Sequence, residues 1–517
     1  MPSSLNTSIE RQLGRPAPGV ASTSIMPLEF RLSDIGAMKD PALEISSVGF
    51  GLDLAYQTPR DPFQTPERRT TATVTLRKRP GGRKLGGHLR PEVAKDAHRM
   101  RKIGACWRCV IQRDRCDSSN ICERCLKRSH PSLVDNMHTR LECNRGSLYD
   151  LAPQFLPAVL RRPYQESEIQ KSWTDRIESW RSERKYVLTL SWRITPPLVE
   201  ENVQEGVLIK TPLPGTEYLK KTVREIALGL DLSNGSNGSK YAQYISSVIY
   251  TGIGDVPFAL YPGTSECNVL YRELITQVFG YYECTGNETL AEMAKLLIMT
   301  HCFTHSPSLL RSIPNLQALS RNTPLPMSDN LGLELLYHQL KSHLALIQST
   351  QLDLLLERCD KALRTPKTAH LSQGLPLILT FIGLAMNLEQ IQVALHRLLV
   401  GHRGDQAEQE DSCRRIEQGI DMIIGICRLK YGAQPKTHFQ HRNAVDGDSA
   451  ETTFALNLDG LISRHVEFLS RSAEIKLPVV DPSLYPGRLT SKFLLWFGEI
   501  ARLPLQSPTV ECDAGVK

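Results

Sequence analysis

Apolar and polar positions alternate differently in successive stretches of the chain. From residue 1 to about 95 no period of 2 or 3.6 is sustained and Pro, Ser, Thr and Gly dominate, which predicts a disordered N-terminal arm. In ESEIQKSWTDRIESW the residues Ile169, Trp173, Ile177 and Trp180 fall on one helical face and predict a helix of about three turns. KYVLTLSWRIT alternates strictly, with Leu188, Leu190, Trp192 and Ile194 opposite Thr189, Ser191 and Arg193; this predicts a half-buried strand ended by Pro196 and Pro197. LSNGSNGSK at 232–240 has the composition of a surface loop.

Beyond it the period becomes helical. Leu333, Leu336, Leu340, Leu344 and Ile347 form one stripe, and Ile416, Ile420, Ile423, Ile424 and Cys427 form another. Comparable stripes occur around 386–399, 458–469 and 493–500, with no fixed-period repeat, so a large all-helical C-terminal domain is expected. The pattern predicts a mainly α protein divided into an arm (1–95), a cysteine-rich module (96–148), a connector with a short helix and a short β segment (149–239) and a helical regulatory or interaction domain (240–517).

The most apolar run, LSQGLPLILTFIGLAMNL at 371–388, is interrupted by Ser372, Gln373, Pro376, Thr380 and Asn387, which favours a buried helix over a membrane span. No charged n-region leads into an apolar h-region, so the expectation is an intracellular chain with no membrane partner.

Charge is unevenly placed. The formal net charge is +7, yet residues 77–116 alone hold thirteen Lys or Arg against Glu92, Asp96 and Asp114. Such a block points to a polyanionic partner or to nuclear import, and LRKRPGGRKLGGHLR at 76–90 adds glycine flexibility to it.

Five of the thirteen cysteines lie in ACWRCVIQRDRCDSSNICERC, residues 105–125. Cys106 and Cys109 are separated by two residues, Cys109 and Cys116 by six, Cys116 and Cys122 by five, and Cys122 and Cys125 by two; Cys143 follows after seventeen. In a reducing compartment clustered thiols are metal ligands more often than disulfides, and paired CxxC knuckles are a strong zinc signal. A single zinc would use Cys106, Cys109, Cys122 and Cys125 and leave Cys116 without a role. Two tetrahedral zincs need eight ligand positions, which six thiolates supply if two of them bridge.

These residues resemble the fungal binuclear zinc-cluster transcription factors, whose pattern is C-x2-C-x6-C, a loop, C-x2-C and a last cysteine. CVIQRDRC carries Arg113 and Arg115 at two of the family's basic positions and Val110 at the first. CLK at 125–127 and CNRG at 143–146 match the family's continuation and ending. Departures are the lack of a proline in the DSSNI loop and the seventeen residues before Cys143, where the family has fewer than ten. His130 and His138 lie in that gap, so the sixth ligand is Cys143 or an imidazole, with Cys143 favoured by the family's six-thiolate signature.

The resemblance implies a two-zinc site held by Cys106, Cys109, Cys116, Cys122, Cys125 and Cys143, in which Cys106 and Cys122 bridge. Six thiolates and two zinc ions sum to about −2, which the surrounding Arg99, Arg101, Lys102, Arg108, Arg113, Arg115, Arg124, Lys127 and Arg128 more than offset. It further implies a short helix after Cys109 that enters the major groove of double-stranded DNA end-on. Gln112 and Arg113 would face base edges of a CGG-like half-site and Arg115, Arg124, Lys127 and Arg128 the phosphates, with Arg108 a further DNA-binding residue.

The function so implied is zinc-dependent, sequence-specific transcription regulation of RNA polymerase II genes in the nucleus, with co-regulators as partners and no enzymatic activity. Monomer and homodimer both stay open, because no heptad follows the cluster. The alternative is a zinc-stapled nuclear scaffold that binds proteins through its helical domain.

Two further groups are metal-like in composition. HCFTH at 301–305 puts His301 and His305 one turn apart beside Cys302, but it follows an apolar run and lacks a third distant ligand, which favours a helix-end packing cluster. HFQHRNAVDGDSAE at 438–451 has the composition of a solvated loop. No GxSxG, phosphate-binding loop, dinucleotide fingerprint or HExxH is present.

Overall fold

A computed structural model describes residues 90–128, 143–172, 174–192, 194, 199–210, 223–231, 237–251, 254–310, 331–365, 374–402, 405–432, 450–477 and 481–498. The arm up to residue 89, His130, His138 and the loop at 438–449 lie outside these residues. The fold is mainly α, as its periodicity predicts.

In chain order the elements are α1 (Pro91–Ile103), α2 (Trp107–Gln112), α3 (Glu123–Arg128) and, after short turns between Leu148 and Tyr164, α4 (Glu166–Ser172). Three long strands follow, β1 (Ile177–Ser191), β2 (Val199–Lys210) and β3 (Val223–Leu230). Then come α5 (Asn237–Thr251), α6 (Glu266–Thr285), α7 (Glu288–Thr304) and the short β4 (Ser308–Leu310). The last six helices are α8 (Leu331–Arg364), α9 (Gly374–His402), α10 (Gln406–Tyr431), α11 (Ala450–Arg464), α12 (Val466–Glu474) and α13 (Arg488–Phe497).

The connector holds more β structure than one strand. β1 to β4 form an antiparallel sheet in the order β3-β2-β1-β4, and β4 returns from beyond α7 to pair Leu309 with Leu190. The expected inward residues Leu188, Leu190, Trp192 and Ile194 are all buried. β2 escapes the hydrophobic pattern because its core face reads Val199, Glu201, Val203, Glu205, Val207, with glutamates at two inward positions. Glu205 is satisfied there by Arg181 at 2.6 Å and the Tyr186 hydroxyl at 3.3 Å.

Two expectations of local structure are corrected. The helix drawn through Ile169, Trp173, Ile177 and Trp180 stops at Ser172, and Ile177 and Trp180 belong to β1. The coincidence arises because Ile169, Ile177 and Trp180 pack into one small cluster with Ala227 of β3 and Leu335 of α8, from two different elements. The supposed loop at 232–240 already contains the first turn of α5 from Asn237.

The helices pack around α9, which contacts α7, α10 and α13. It is long and apolar enough to cross a membrane by composition, but 89% of its most apolar window is buried against the other helices. Gly383 lets it approach α7 closely, since a Cβ there would collide with the Met293 side chain. The stripes on α8 and α10 face the same core.

Several helix ends are completed from a distance. The first amides of α13 have no local side-chain cap; the buried carboxylate of Glu389 on α9 accepts from Gly487 N (3.0 Å), Leu489 N (2.6 Å) and Thr490 N (2.8 Å). Lys430 of α10 donates through Nζ to the carbonyls of Ala362 (2.6 Å), Leu363 (2.9 Å) and Thr365 (3.3 Å), closing the C-terminus of α8.

Candidate metal centre

Each CxxC pair opens a short helix. Cys106 is the N-cap of α2 and its carbonyl accepts from Val110 N at 3.0 Å; Cys122 precedes α3 and accepts from Leu126 N at 2.9 Å. The two pairs are therefore local equivalents, with Cys109 and Cys125 one turn into each helix. The helix expected after Cys109 begins earlier, at Trp107, and includes Cys109.

Arg113 ends α2 in a left-handed conformation (φ 58°, ψ 35°) and turns the chain back, with Asp114 N reaching the Cys109 carbonyl at 2.9 Å. Asp117 then shapes the loop to α3: its carboxylate accepts from Ser119 N (2.8 Å) and Glu123 N (2.6 Å). Burial opposes charge on Asp117, but these amides and the Arg145 guanidinium outweigh it and hold the carboxyl below its usual range.

All six sulfurs converge. Cys106 Sγ lies 3.9 Å from Cys122 Sγ, 3.6 Å from Cys125 Sγ and 3.9 Å from Cys116 Sγ, and Cys109 Sγ lies 3.6 Å from Cys122 Sγ. They sort into two quartets, Cys106-Cys109-Cys116-Cys122 and Cys106-Cys122-Cys125-Cys143, each with all its sulfurs within 4.8 Å of one another. Each quartet could hold a metal ion, and the two share Cys106 and Cys122, the cysteines in equivalent positions.

Cys143 joins the cluster despite its distance in sequence. It is buried, and Cys122 N donates to its sulfur at 3.1 Å. The next residues fasten it: Arg145 donates to the carbonyls of Gly104 (2.9 Å), Asp117 (2.6 Å) and Ser119 (2.7 Å), tying both halves of the module together. Sequence reasoning did not single out Arg145 or Asp117; the only signal was the arginine-glycine pair after the last cysteine.

The thiols are electrostatically distinct. Burial pushes Cys106 up to about 12, and burial with neighbouring thiols raises Cys109 and Cys125. For Cys122 burial also acts upward, but the Cys125 amide and the hydrogen bonds of Cys125, Cys109 and Cys106 outweigh it and lower the thiol to about 7. Of these four thiols, Cys122, whose sulfur is common to both quartets, has the greatest thiolate character.

Around this cluster the basic residues are mostly exposed. Gln112, Arg113, Arg115, Arg124 and Lys127 are exposed, Arg108 is half-buried, and Arg128 closes α3. Arg124 pairs with Asp114 at 3.5 Å and Lys127 with Glu123 at 3.3 Å. α1 has no buried residue and presents Lys95, Arg99, Arg101 and Lys102; Arg99 reaches Ser118 Oγ at 3.4 Å.

The opposite face of α2 is not free. Trp107, between the first two cysteines, is fully buried and part of the main core, where α2 meets α8 and α10. The metal-like HCFTH cluster instead caps α7: His301 is buried, and the His301 and His305 rings stack at 4.3 Å. Burial, with His305 nearby, lowers His301 to about 3, so it packs as a neutral ring. Among the described residues the ligand atoms that converge are the six thiols.

Comparison of the chain with family models, with curated proteins and with solved structures gives no match.

Proposed function

We propose that the protein is a zinc-dependent, sequence-specific DNA-binding regulator of transcription by RNA polymerase II, acting in the nucleus. The observation that carries this reading is the pair of sulfur quartets sharing Cys106 and Cys122, set in a rim of exposed cations. Thiolates about 2.3 Å from a tetrahedral zinc are about 3.8 Å apart. Four sulfur pairs, 3.6 to 3.9 Å apart, fit that edge length, and the remaining pairs of each quartet lie within 4.8 Å. Two zinc ions therefore suit the donors, and no histidine is required to complete either quartet. Zinc, when bound, supplies structure and holds the thiolates deprotonated; it does not meet the nucleic acid.

The chain's own residues do the recognition. Arg113, in its left-handed turn at the end of α2, follows Gln112 directly, and both residues are exposed. A guanidinium can grip guanine O6 and N7 together, worth about 1–3 kcal/mol of discrimination. Arg115, Arg124, Lys127 and Arg128 would meet phosphates and set the salt dependence. The sites would be GC-rich, CGG-like triplets, as the family resemblance implies.

Selection of binding sites from random duplexes by the zinc-loaded full chain tests this. An enriched GC-rich site, lost with Arg113→Ala while both zincs remain in native mass spectra, supports it. Weak binding with no enriched site, or an Arg113→Ala protein with unchanged preference, rejects it. The burial of Trp107 in the helical core favours the second reading, a zinc-stapled scaffold, and that is the reading left by sequence-indifferent binding.

A further inference from the structure

Cys143 follows Cys125 after seventeen residues, and the chain just beyond it is held by groups far away in sequence. The residues after Cys143 run onto the end of α8, more than two hundred positions later. Asp360 accepts from Ser147 Oγ at 3.0 Å and from Leu148 N at 2.8 Å through the same Oδ1. Its other oxygen takes the Nε of Arg364 at 2.7 Å. Arg364 in turn reaches the Gly146 carbonyl at 3.3 Å and covers the Trp107 ring, with 4.0 Å between guanidinium carbon and ring centroid.

Trp107 closes the circuit. Its Nε1 donates to the same Gly146 carbonyl at 3.0 Å, and its backbone N–H to the Asn144 carbonyl at 2.9 Å. Asn144 is held from α10 as well, with Nδ2 donating to Met422 Sδ at 2.9 Å. Asn144, Gly146, Ser147 and Leu148 are thus held by groups of α8, α10 or Trp107, while Arg145 is held within the module by the carbonyls of Gly104, Asp117 and Ser119.

We infer that Asp360 and Arg364 are positioning residues of the metal centre: by clamping residues 144–148 they hold Cys143 against Cys106, Cys122 and Cys125. This rests on the two-ion reading above and adds to it an unequal pair of sites. The quartet of Cys106, Cys109, Cys116 and Cys122 is built within residues 106–122, whereas the segment that brings Cys143 into the other quartet is held by the module through Arg145 and also by the helical body through Asp360 and Arg364. Neither Asp360 nor Arg364 touches a metal; each acts through the backbone that carries the ligand.

The test uses the full-length zinc protein and its cobalt-substituted form. Zinc release to a chromogenic chelator is followed beside the cobalt thiolate and d–d bands and far-ultraviolet circular dichroism. Asp360→Ala and Arg364→Ala should release one equivalent about 10- to 100-fold faster, the range for losing groups that orient a ligand. The second equivalent and the helical signal should be unchanged, as should both equivalents in Lys361→Ala, an exposed side chain one position from Asp360. Asp360→Asn keeps the acceptor for Ser147 and Leu148 and should recover most of the retention.

Unchanged release in both alanine variants overturns the inference. If an alanine variant loses its helical signal, Arg364→Gln decides on the same readout, and unchanged release there overturns the inference. A wild type that holds one ion overturns the two-ion reading; the positioning role falls with it only if release of that ion ignores Asp360 and Arg364.

Discussion

Arg364, at the last turn of α8, lies over the indole of Trp107, the residue after the first cysteine of the cluster, with 4.0 Å between guanidinium carbon and ring centroid. A side chain of the helical body is thereby in direct contact with the metal-binding turn. Truncation of the fully buried indole, Trp107→Ala, should cost about 3–5 kcal/mol of unfolding free energy. Urea denaturation monitored by helix signal measures it; a loss under 1 kcal/mol, about the range of an exposed substitution, would show that the indole is not part of the core.

The shared sulfurs give a stoichiometric prediction. Cys122→Ser removes a ligand common to both quartets and should leave no stable metal, whereas Cys116→Ser should leave one ion. Native mass spectrometry of the full chain counts the ions. Equal loss in both variants would mean that the quartets do not share sulfurs.

Glu389 makes stability depend on pH. Burial raises its carboxyl to about 7 from the ordinary 4.5, even though the amides of Thr490, Gly487 and Leu489 act the other way. Between those values the folded chain keeps a proton that the unfolded chain has released. The contribution of Glu389 is therefore fully present below pH 4.5, falls as pH rises and levels off above 7. The stability difference between the wild type and Glu389→Gln should change by on the order of 3 kcal/mol between pH 4.5 and 8. Parallel pH profiles for the two proteins would refute the assignment.

Lys430 predicts a local effect. Lys430→Met leaves the carbonyls of Ala362, Leu363 and Thr365 without their donor, at about 1–3 kcal/mol for a buried unsatisfied group. Hydrogen exchange should quicken first in the last turns of α8, which carry Asp360 and Arg364. Exchange unchanged there, with a global loss of stability, would place the lysine's role elsewhere.

The helical body was legible because its stripes are long: Ile416, Ile420, Ile423, Ile424 and Cys427 repeat over three turns and are all buried. The convergence of the cysteines was legible for a different reason, since two-residue gaps leave a thiol pair little freedom. β2 was hidden by Glu201 and Glu205 on its core face, whose partners come from other elements and leave no mark in its own sequence. The boundary at Ser172 was hidden because three apolar residues of the small cluster happened to repeat at helical spacing across two elements. Asp360 and Arg364 could not be found from sequence at all, because nothing local to them resembles a ligand-holding motif.

The clamp on residues 144–148 also changes what the long gap before Cys143 costs. A ligand carried on a free tail would have to be captured by closing a flexible loop, and each further residue would dilute it. With residues 144–148 docked, doubling the length of chain between Cys125 and Cys143 should cost only about 0.6 kcal/mol of chain entropy. The docking of residues 146–148 to α8 adds to the hold of Cys122 and Arg145 on the sixth thiol, and it ties the integrity of the cluster to a fold completed only once the chain has been made far beyond it.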